Sequence, residues 1–345
     1  MSRSSVKSFE DITDNICSQS FQVVDMRPYS RFQGKVPEPR NVNRRDLSAV
    51  AVMAQSRAVV SGQWLANAVT KKLVGPKLRV LDTSWYPAKT KRVAKDDFAQ
   101  KHIPGASFFS MDECRDKSSA FDHMLPTSRE FSEYVGNLGV GNDTHVVVYD
   151  TSDFGSFSAP RVWFMFRLFG HDLVSVLDGG MKNWVADGHP LTSEHRQPER
   201  REFRASLNAA WVKSYEEVLQ NVKSRQVQVV DARSAGRFRG TEPEPKDDIL
   251  PGHFPGTINM PYTSFLDASG KHHGPEKLAE LFREAGVDLD RPLWSTCTFG
   301  ITACHVTLAA HRLGHPGVCL YDGSWSEWFK RASPENIISE GEGKK

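Results

Sequence analysis

One stretch near the C-terminal end decides the fold, Pro292-Leu293-Trp294-Ser295-Thr296-Cys297-Thr298-Phe299-Gly300-Ile301-Thr302-Ala303. Its first five residues predict a buried strand, and the apolar period from Ala303 to Leu313 predicts a helix. A loop between a strand end and a helix N-terminus gathers backbone N–H donors around one point, where the helix dipole adds partial positive charge. Such a loop favours a thiolate over a thiol, so Cys297 is a candidate nucleophile. The alternative is a small buried cysteine that only packs.

The composition of this loop separates two kinds of cysteine chemistry. A cysteine-dependent phosphatase has an arginine six residues after its cysteine, which grips the phosphoryl oxygens in a bidentate manner. Here that position is Ala303. The ring from Cys297 to Thr302 is short and uncharged, which suits a sulfur atom better than a whole phosphate. The loop therefore favours sulfur transfer over phosphoryl transfer.

Three further motifs occur twice, which indicates two copies of one domain. Val80-Leu81-Asp82 recurs as Val229-Val230-Asp231, His102-Ile103-Pro104-Gly105 as His253-Phe254-Pro255-Gly256, and the pair Asp178-Gly179 before Trp184 as the pair Asp322-Gly323 before Trp328. Each copy alternates strand-like runs with helical patterns, which predicts two α/β domains, each with a mostly parallel sheet flanked by helices. We expect residues 57–190 to form the first domain, 191–209 a linker and 210–345 the second domain.

The two copies differ at the position that carries the chemistry. In the first copy the residue after the predicted strand Val146 to Tyr149 is Asp150, which matches Cys297 and cannot carry a sulfane sulfur. We therefore expect the first domain to be catalytically silent and to supply one wall of a site between the domains. Asp112 and His123 are its candidates for that wall. The alternative for His123 is a surface or packing histidine.

Arg237 is the candidate for substrate binding. It follows the predicted strand Val227 to Val230, at the carboxyl end where open α/β sheets bind ligands, and we expect it in a loop rich in glycine and proline. Its planar guanidinium suits a carboxylate or a sulfonate. The alternative is a solvated arginine that pairs with Glu242 or Glu244.

Several motifs occur in one order from about Arg57 to the C-terminus. They are Cys297 to Ala303, Gly236 to Pro245, the two His-x-Pro-Gly segments, and Tyr321 to Trp328. With these motifs the chain resembles the tandem-domain rhodaneses, which are thiosulfate and 3-mercaptopyruvate sulfurtransferases. The mercaptopyruvate branch is the closer likeness, through Phe121-Asp122-His123-Met124-Leu125-Pro126 and the ending Ile338-Ser339-Glu340-Gly341.

The resemblance implies roles for individual residues. Cys297 would be the catalytic cysteine, and Asp112 and His123 would lie near it and help to activate it. Arg237 would bind the substrate. Nine residues on, where mercaptopyruvate enzymes typically have a second arginine, Lys246 keeps the charge and loses the bidentate geometry. Backbone amides of the loop would hold the transferred sulfur, and the loop residues are Thr298, Phe299, Gly300, Ile301 and Thr302.

The loop departs from both branches of the family. Thiosulfate enzymes typically have Arg and Lys after the cysteine, whereas this chain has Thr298 and Phe299, so a dianionic donor is disfavoured. Mercaptopyruvate enzymes typically have Gly and then Ser or Thr, whose hydroxyl is proposed to complete a relay with the cysteine and the histidine. Phe299 has no hydroxyl, so the relay would be incomplete. Either Thr298 replaces the lost hydroxyl, or Phe299 makes the pocket mouth more apolar and admits a protein or a bulkier thiol.

The predicted function is sulfur transfer from 3-mercaptopyruvate through a persulfide on Cys297 to an acceptor such as thioredoxin, another thiol or cyanide. No metal or organic cofactor is expected. The alternatives are a thiosulfate sulfurtransferase and a non-catalytic rhodanese-like module for binding or sulfur relay.

The composition is that of an ordinary globular chain of 345 residues. Lys and Arg number 44 against 42 for Asp and Glu, and the net charge of +2 implies no general affinity for nucleic acid or an anionic membrane. Five cysteines without paired spacing indicate reduced thiols. The first residues contain neither a secretory core nor a convincing transit peptide, so we expect a cytoplasmic protein rather than a mitochondrial one.

Residues 1–53 contain a partial third copy of the domain. Phe9 to Arg40 matches Tyr215 to Lys246 without a gap, and the copy ends before any equivalent of Cys297. One strand and one loop cannot close a core. This segment is therefore either a remnant of duplication or an arm that binds a partner.

Overall fold

The computed structural model describes residues 58–342, which contain two domains of the same architecture. The first contains β1 (Val59–Val60), α1 (Gly62–Thr70), β2 (Leu78–Asp82), α2 (Ala94–Gln100), β3 (Ala106–Phe108), α3 (Ser128–Asn137), β4 (His145–Tyr149), α4 (Ala159–Leu168), β5 (Val174–Leu177) and α5 (Gly180–Ala186). The second contains β6 (Val212–Lys213), α6 (Tyr215–Ser224), β7 (Gln228–Asp231), α7 (Ala235–Arg239), β8 (Thr257–Asn259), α8 (Pro275–Glu284), β9 (Leu293–Thr296), α9 (Ala303–Arg312), β10 (Cys319–Tyr321) and α10 (Ser324–Arg331). None of the helices formed by these residues could span a lipid bilayer.

Each domain is built on one five-stranded sheet. The strand order is β1-β5-β4-β2-β3 in the first sheet and β6-β10-β9-β7-β8 in the second, so equivalent strands occupy equivalent places. All neighbouring strands are parallel. Parallel strands need crossover connections, and the crossover helices bury the sheet, which is why strands such as β4 are continuous apolar runs. The predicted fold, two α/β domains with parallel sheets flanked by helices, is confirmed.

The histidine of the repeated His-x-Pro-Gly motif makes the same side-chain contacts in both domains. His102 stacks on Phe98 and its Nδ1 lies 2.7 Å from the carbonyl oxygen of that residue. His253 stacks on Phe238 and its Nδ1 lies 2.7 Å from the Phe238 carbonyl oxygen. The two copies therefore repeat side-chain contacts as well as the order of their strands.

The segment from Asp187 to Asn208, which holds most of the predicted linker, lies on the first domain. Thr192 pairs with His102 in an isolated antiparallel bridge. Further along, the N–H of Arg201 donates to the carbonyl of Gly136 at 2.9 Å. The partial copy predicted in residues 1–53 lies outside the described residues.

Helices α4 and α9 pack against each other at the domain interface. Every residue of α4 except Arg167 is buried, as are the first eight residues of α9. Each of these helices follows the loop that begins at the carboxyl end of the central strand, at Asp150 in the first domain and at Cys297 in the second. The packing therefore brings the two equivalent loops to one cleft between the domains.

Candidate active site

A cavity of about 660 Å³ lies between the domains and contains Cys297 in its lining. The second domain contributes Arg237 and the loop residues Thr298, Phe299, Ile301 and Thr302. The first domain contributes residues that follow β2 and β4, among them Trp85, Tyr86, Arg92, Asp150 and Phe154. This volume is in the range of small-molecule sites, and the carboxyl ends of parallel strands are where such sites form.

Cys297 sits at the bottom of this cavity and is only 2 % exposed. Its backbone is held by the start of α10: its N–H donates to the Ser324 hydroxyl at 3.3 Å, and its carbonyl accepts from the Trp325 N–H at 2.9 Å. Within residues 58–342, none of the N–H groups from Thr298 to Thr302 donates a hydrogen bond. Five consecutive donors beside the sulfur are therefore available to an anion.

In the first domain, the backbone N–H groups of the equivalent loop bind the carboxylate of Asp150, a residue of that loop. Both carboxylate oxygens of Asp150 accept backbone N–H groups, from Ser152 at 3.0 Å, Phe157 at 2.8 Å, Ser158 at 2.9 Å and Ala159 at 2.8 Å. The Asp150 side chain thus satisfies the donors at the start of α4 that a ligand would otherwise use. The first domain has no thiol at this position and no free cradle of amides.

The hydroxyl of Thr298 takes part in a buried network of charged groups. It donates to Glu244 at 2.8 Å, and the other oxygen of Glu244 accepts from Arg233 at 2.8 Å. Arg233 also pairs with Asp231 at 2.6 Å. Burial would lower the pKa of Arg233, but the two carboxylates raise it. Because the proton of Thr298 is committed to Glu244, this hydroxyl does not replace the one that Phe299 lacks.

Arg237 lies in the short helix α7 and not in the expected loop. The Ser234 side chain caps this helix and accepts from the Arg237 N–H at 3.4 Å, which explains why a segment rich in glycine and proline becomes helical here. The guanidinium forms no ion pair with any residue in the range 58–342. Both anticipated partners are engaged elsewhere, since Glu242 accepts from Ser234 at 2.7 Å and Glu244 binds Arg233.

The other cations near the cavity are neutralised. Arg92 lines the cavity and pairs with Asp97 at 2.6 Å, and Arg233 lies within its own carboxylate network. Lys246 is not part of the lining. It pairs with Asp122, and its Nζ lies 5.9 Å from the centroid of the Phe299 ring. Among the described residues that line the cavity, Arg237 is therefore the cation without a carboxylate partner.

His123 lies behind the cavity wall. Its ring packs edge-on against Trp85, with 4.8 Å between centroids, and it is 8 % exposed. Its Nδ1 is 3.6 Å from the nearer carboxylate oxygen of Asp112, which is too long for a hydrogen bond. Burial lowers the pKa of His123 to about 4, although Asp112 raises it. The imidazole is therefore neutral at pH 7, and neither His123 nor Asp112 belongs to the lining.

The pattern of the two domains matches one known protein family. A model of the rhodanese-like domain matches residues 63–187 and again residues 214–331, once in each domain. The chain belongs to the rhodanese family. Its relatives include 3-mercaptopyruvate sulfurtransferase of Homo sapiens, 54 % identical over 84 % of this chain and 97 % of that protein. Thiosulfate sulfurtransferase of Mus musculus is 53 % identical over 83 % of this chain and 96 % of that protein.

Two solved structures are similar to this chain over most of its length. Tum1 of Saccharomyces cerevisiae has a TM-score of 0.73 at 32 % identity and covers 82 % of this chain and 98 % of its own. SseA of Escherichia coli, a 3-mercaptopyruvate sulfotransferase, has a TM-score of 0.70 at 34 % identity and covers 78 % and 99 %. The predicted family and the predicted class of enzyme, a sulfurtransferase, are confirmed.

Sequence reasoning missed several residues of the site. Trp85 and Tyr86 come shortly after β2, so the rule that pointed to Arg237, a position beyond a strand's carboxyl end, would have found them. Phe154 lines the mouth and is 57 % exposed, and it follows β4 in the same way. Arg161 contacts the cysteine loop from the first domain, and its only signal in the sequence is a cation in the first turn of a helix.

Proposed function

We propose that this enzyme takes sulfur from 3-mercaptopyruvate, carries it as a persulfide on Cys297 and passes it to a thiol. The observation that carries the proposal is the position of Arg237, an arginine without a carboxylate partner in the cavity that contains the cysteine. A guanidinium binds a carboxylate through two parallel hydrogen bonds. The donor would therefore be held by its carboxylate, with its thiol toward Cys297.

The first half-reaction forms the persulfide. The Cys297 thiolate attacks the donor sulfur, a sulfur–sulfur bond forms, and the carbon–sulfur bond breaks with its electron pair left on carbon. The resulting enolate takes one proton at carbon and leaves as pyruvate, and the persulfide loses the proton that the donor thiol carried, so the step consumes no net proton. The amides of Thr298 to Thr302, which have no partners within the described chain, support this step because they can hold the anionic persulfide.

The second half-reaction returns the cysteine. An acceptor thiolate attacks the outer sulfur, the sulfur–sulfur bond to Cys297 breaks, and the Cys297 thiolate leaves with the bonding pair. A dithiol such as thioredoxin then closes its own disulfide and releases the sulfur as sulfide. The two halves share one cavity, so donor and acceptor bind in turn and the kinetics are ping-pong.

Thiosulfate is the second candidate donor, because a thiosulfate sulfurtransferase is nearly as similar to this chain as a mercaptopyruvate enzyme is. The charges of the cavity favour mercaptopyruvate. Arg92 and Arg233 are paired with carboxylates, which leaves one uncompensated cation for a monoanionic donor. The loop side chains Thr298 and Phe299 add no charge for the second negative charge of thiosulfate.

The mass of the intact protein after incubation with each donor tests the proposal. We expect wild type to gain one sulfur atom from 3-mercaptopyruvate, with pyruvate formed in equal amount, and to gain less from thiosulfate at the same concentration. Cys297→Ser serves as the control that cannot be loaded. Loading from thiosulfate alone would replace the donor, and loading from neither would favour a binding or sulfur-relay module.

A further inference from the structure

Arg161 belongs to the first domain, which lacks the catalytic cysteine, and its side chain contacts the loop that follows Cys297 in the second domain. It lies in the first turn of α4 and its side chain is almost completely buried, like that of Asp322, with which it pairs at 2.8 Å across the domain interface. Its Nη1 donates to the carbonyl of Gly300 at 3.3 Å. Its Nη2 donates to the carbonyl of His123 at 2.7 Å. One guanidinium thus joins α4, the histidine segment and the catalytic loop.

This placement runs against local preferences. A cation in the first turn of a helix opposes the helix dipole, and a buried charge loses its hydration. Burial would lower the pKa of Arg161, but Asp322 raises it, so the charge is retained. The second oxygen of Asp322 accepts the N–H of Leu125 at 2.8 Å, which satisfies the other half of the pair. Violations of local rules of this kind concentrate at functional sites.

The contact with Gly300 fixes one peptide group of the loop. The Gly300 carbonyl also accepts from the Cys304 thiol at 3.4 Å, and the residue has a φ of +74°. A Cβ at this position would lie 3.2 Å from Nη1 of Arg161 and 2.9 Å from the carbonyl oxygen of Asp322. The backbone of the loop therefore packs directly against both residues of the ion pair. A peptide group is planar and trans, so its carbonyl and its N–H point in opposite directions. With the Gly300 carbonyl held toward Arg161, the N–H of Ile301 points away from it.

We infer that Arg161 is a positioning residue which directs the Ile301 N–H toward the cavity and so stabilises the anionic sulfur of Cys297. Ile301 and Cys297 both line that cavity. The planar guanidinium of Arg161 donates to three acceptors that lie in different directions, and a lysine ammonium cannot reproduce this geometry. This inference rests on the proposed function, because the anion it stabilises is the thiolate and then the persulfide of that reaction. The first domain therefore acts on the nucleophile indirectly, by fixing the backbone of the loop that follows Cys297.

The test compares Arg161→Lys and Arg161→Met with Arg167→Met. Arg167 is on the same helix and pairs with Asp172 at 3.1 Å, so its loss removes an arginine from α4 without touching the loop. The first readout is the rate at which iodoacetamide alkylates Cys297, followed on the peptide that contains it from pH 5 to 9. Removing an anion-stabilising donor typically costs about 10²-fold or more in rate, so for an indirect effect we expect a loss of about tenfold at pH 7 in Arg161→Met.

We also expect the alkylation profile to move to higher pH, Arg161→Lys to fall between wild type and Arg161→Met, and Arg167→Met to match wild type. With 3-mercaptopyruvate, kcat should fall while KM changes little, because Arg237 is intact. If Arg161→Met does not fold, Arg161→Lys carries the same comparison.

Wild-type alkylation profiles in the Arg161 variants, or an equal shift in Arg167→Met, would overturn the inference. Alkylation needs no sulfur donor. A wild-type enzyme that takes no sulfur from 3-mercaptopyruvate would therefore count against the proposed function, while the alkylation profiles still decide the role of Arg161.

Discussion

The rings of His123 and Phe299 meet edge to face, with 5.9 Å between their centroids. Phe299 lines the cavity and His123 does not, so an aromatic ring occupies the place where the mercaptopyruvate enzymes that this chain resembles typically have a hydroxyl. The Thr298 hydroxyl is bound to Glu244 and does not fill the gap. Neither position 298 nor position 299 therefore offers an uncommitted hydroxyl to the cavity.

Replacing Phe299 by serine should raise kcat with 3-mercaptopyruvate. General acid–base assistance is commonly worth about 10²- to 10⁴-fold, so a partly restored relay would give an increase of up to about 100-fold in the rate of pyruvate formation. Phe299→Leu is the matched control, because it also removes the ring and introduces no hydroxyl. Equal rates in the two variants would show that the hydroxyl does not limit this enzyme.

Cys297 and Cys304, which lies in the first turn of α9, should respond differently to substitution. Cys297→Ser should abolish sulfur loading, whereas Cys304→Ser should load like wild type. Burial raises the pKa of Cys304 to about 12, so this thiol stays protonated and donates to the Gly300 carbonyl, as a serine hydroxyl can. Intact mass after incubation with the donor measures both. Loading retained in Cys297→Ser would contradict the assignment of the nucleophile.

Arg237→Met should raise KM for 3-mercaptopyruvate. A hydrogen bond to a charged group contributes about 1.5–3 kcal/mol, which corresponds to a loss of roughly tenfold or more in affinity. Arg239→Met is the control on the same helix, since Arg239 is exposed and its guanidinium is 3.9 Å from Glu340. Steady-state kinetics at several donor concentrations separate KM from kcat. A similar KM in both variants would mean that another group binds the carboxylate.

Acid should destabilise the fold through buried neutral histidines such as His305. Burial lowers the pKa of His305 from 6.5 to about 3. The unfolded chain therefore binds more protons than the folded one between these values, and the free energy of unfolding falls as the pH drops from 6.5 toward 3. His305→Gln should flatten this dependence in urea titrations at a series of pH values. An unchanged slope would show that other groups set the acid stability.

Asp150→Asn should destabilise the first domain. The variant keeps the size of the side chain, but it loses the charge that accepts backbone N–H groups at the start of α4. Hydrogen bonds to charged groups are the stronger class, and we expect a loss of about 1–3 kcal/mol in the free energy of unfolding. Asp153→Asn, an exposed change in the same loop, is the control in the same urea titration. Equal stability of the two variants would show that the Asp150 charge contributes little.

Local and repeated features could be predicted from the sequence. Cys297 and Asp150 stand at the same point of a strand–loop–helix unit, and that unit is defined by nearby residues and by its second copy. Two other contacts join residues more than 120 positions apart along the chain: Lys246 pairs with Asp122, and His123 is buried behind Phe299. The same holds for Arg161, whose partner Asp322 comes from the other domain. Residue patterns along a chain do not encode such packing, so these contacts could not be predicted.

The carboxylate of Asp150 makes the two halves of the enzyme differ in whether the amides of their loops have a hydrogen-bond partner within the chain. Its backbone partners are occupied within the chain itself, while the amides from Thr298 to Thr302 have no partner among residues 58–342. Amide groups that are not hydrogen-bonded within the protein exchange with solvent more readily. We therefore expect the amides at the start of α4 to exchange with solvent more slowly than those beside Cys297.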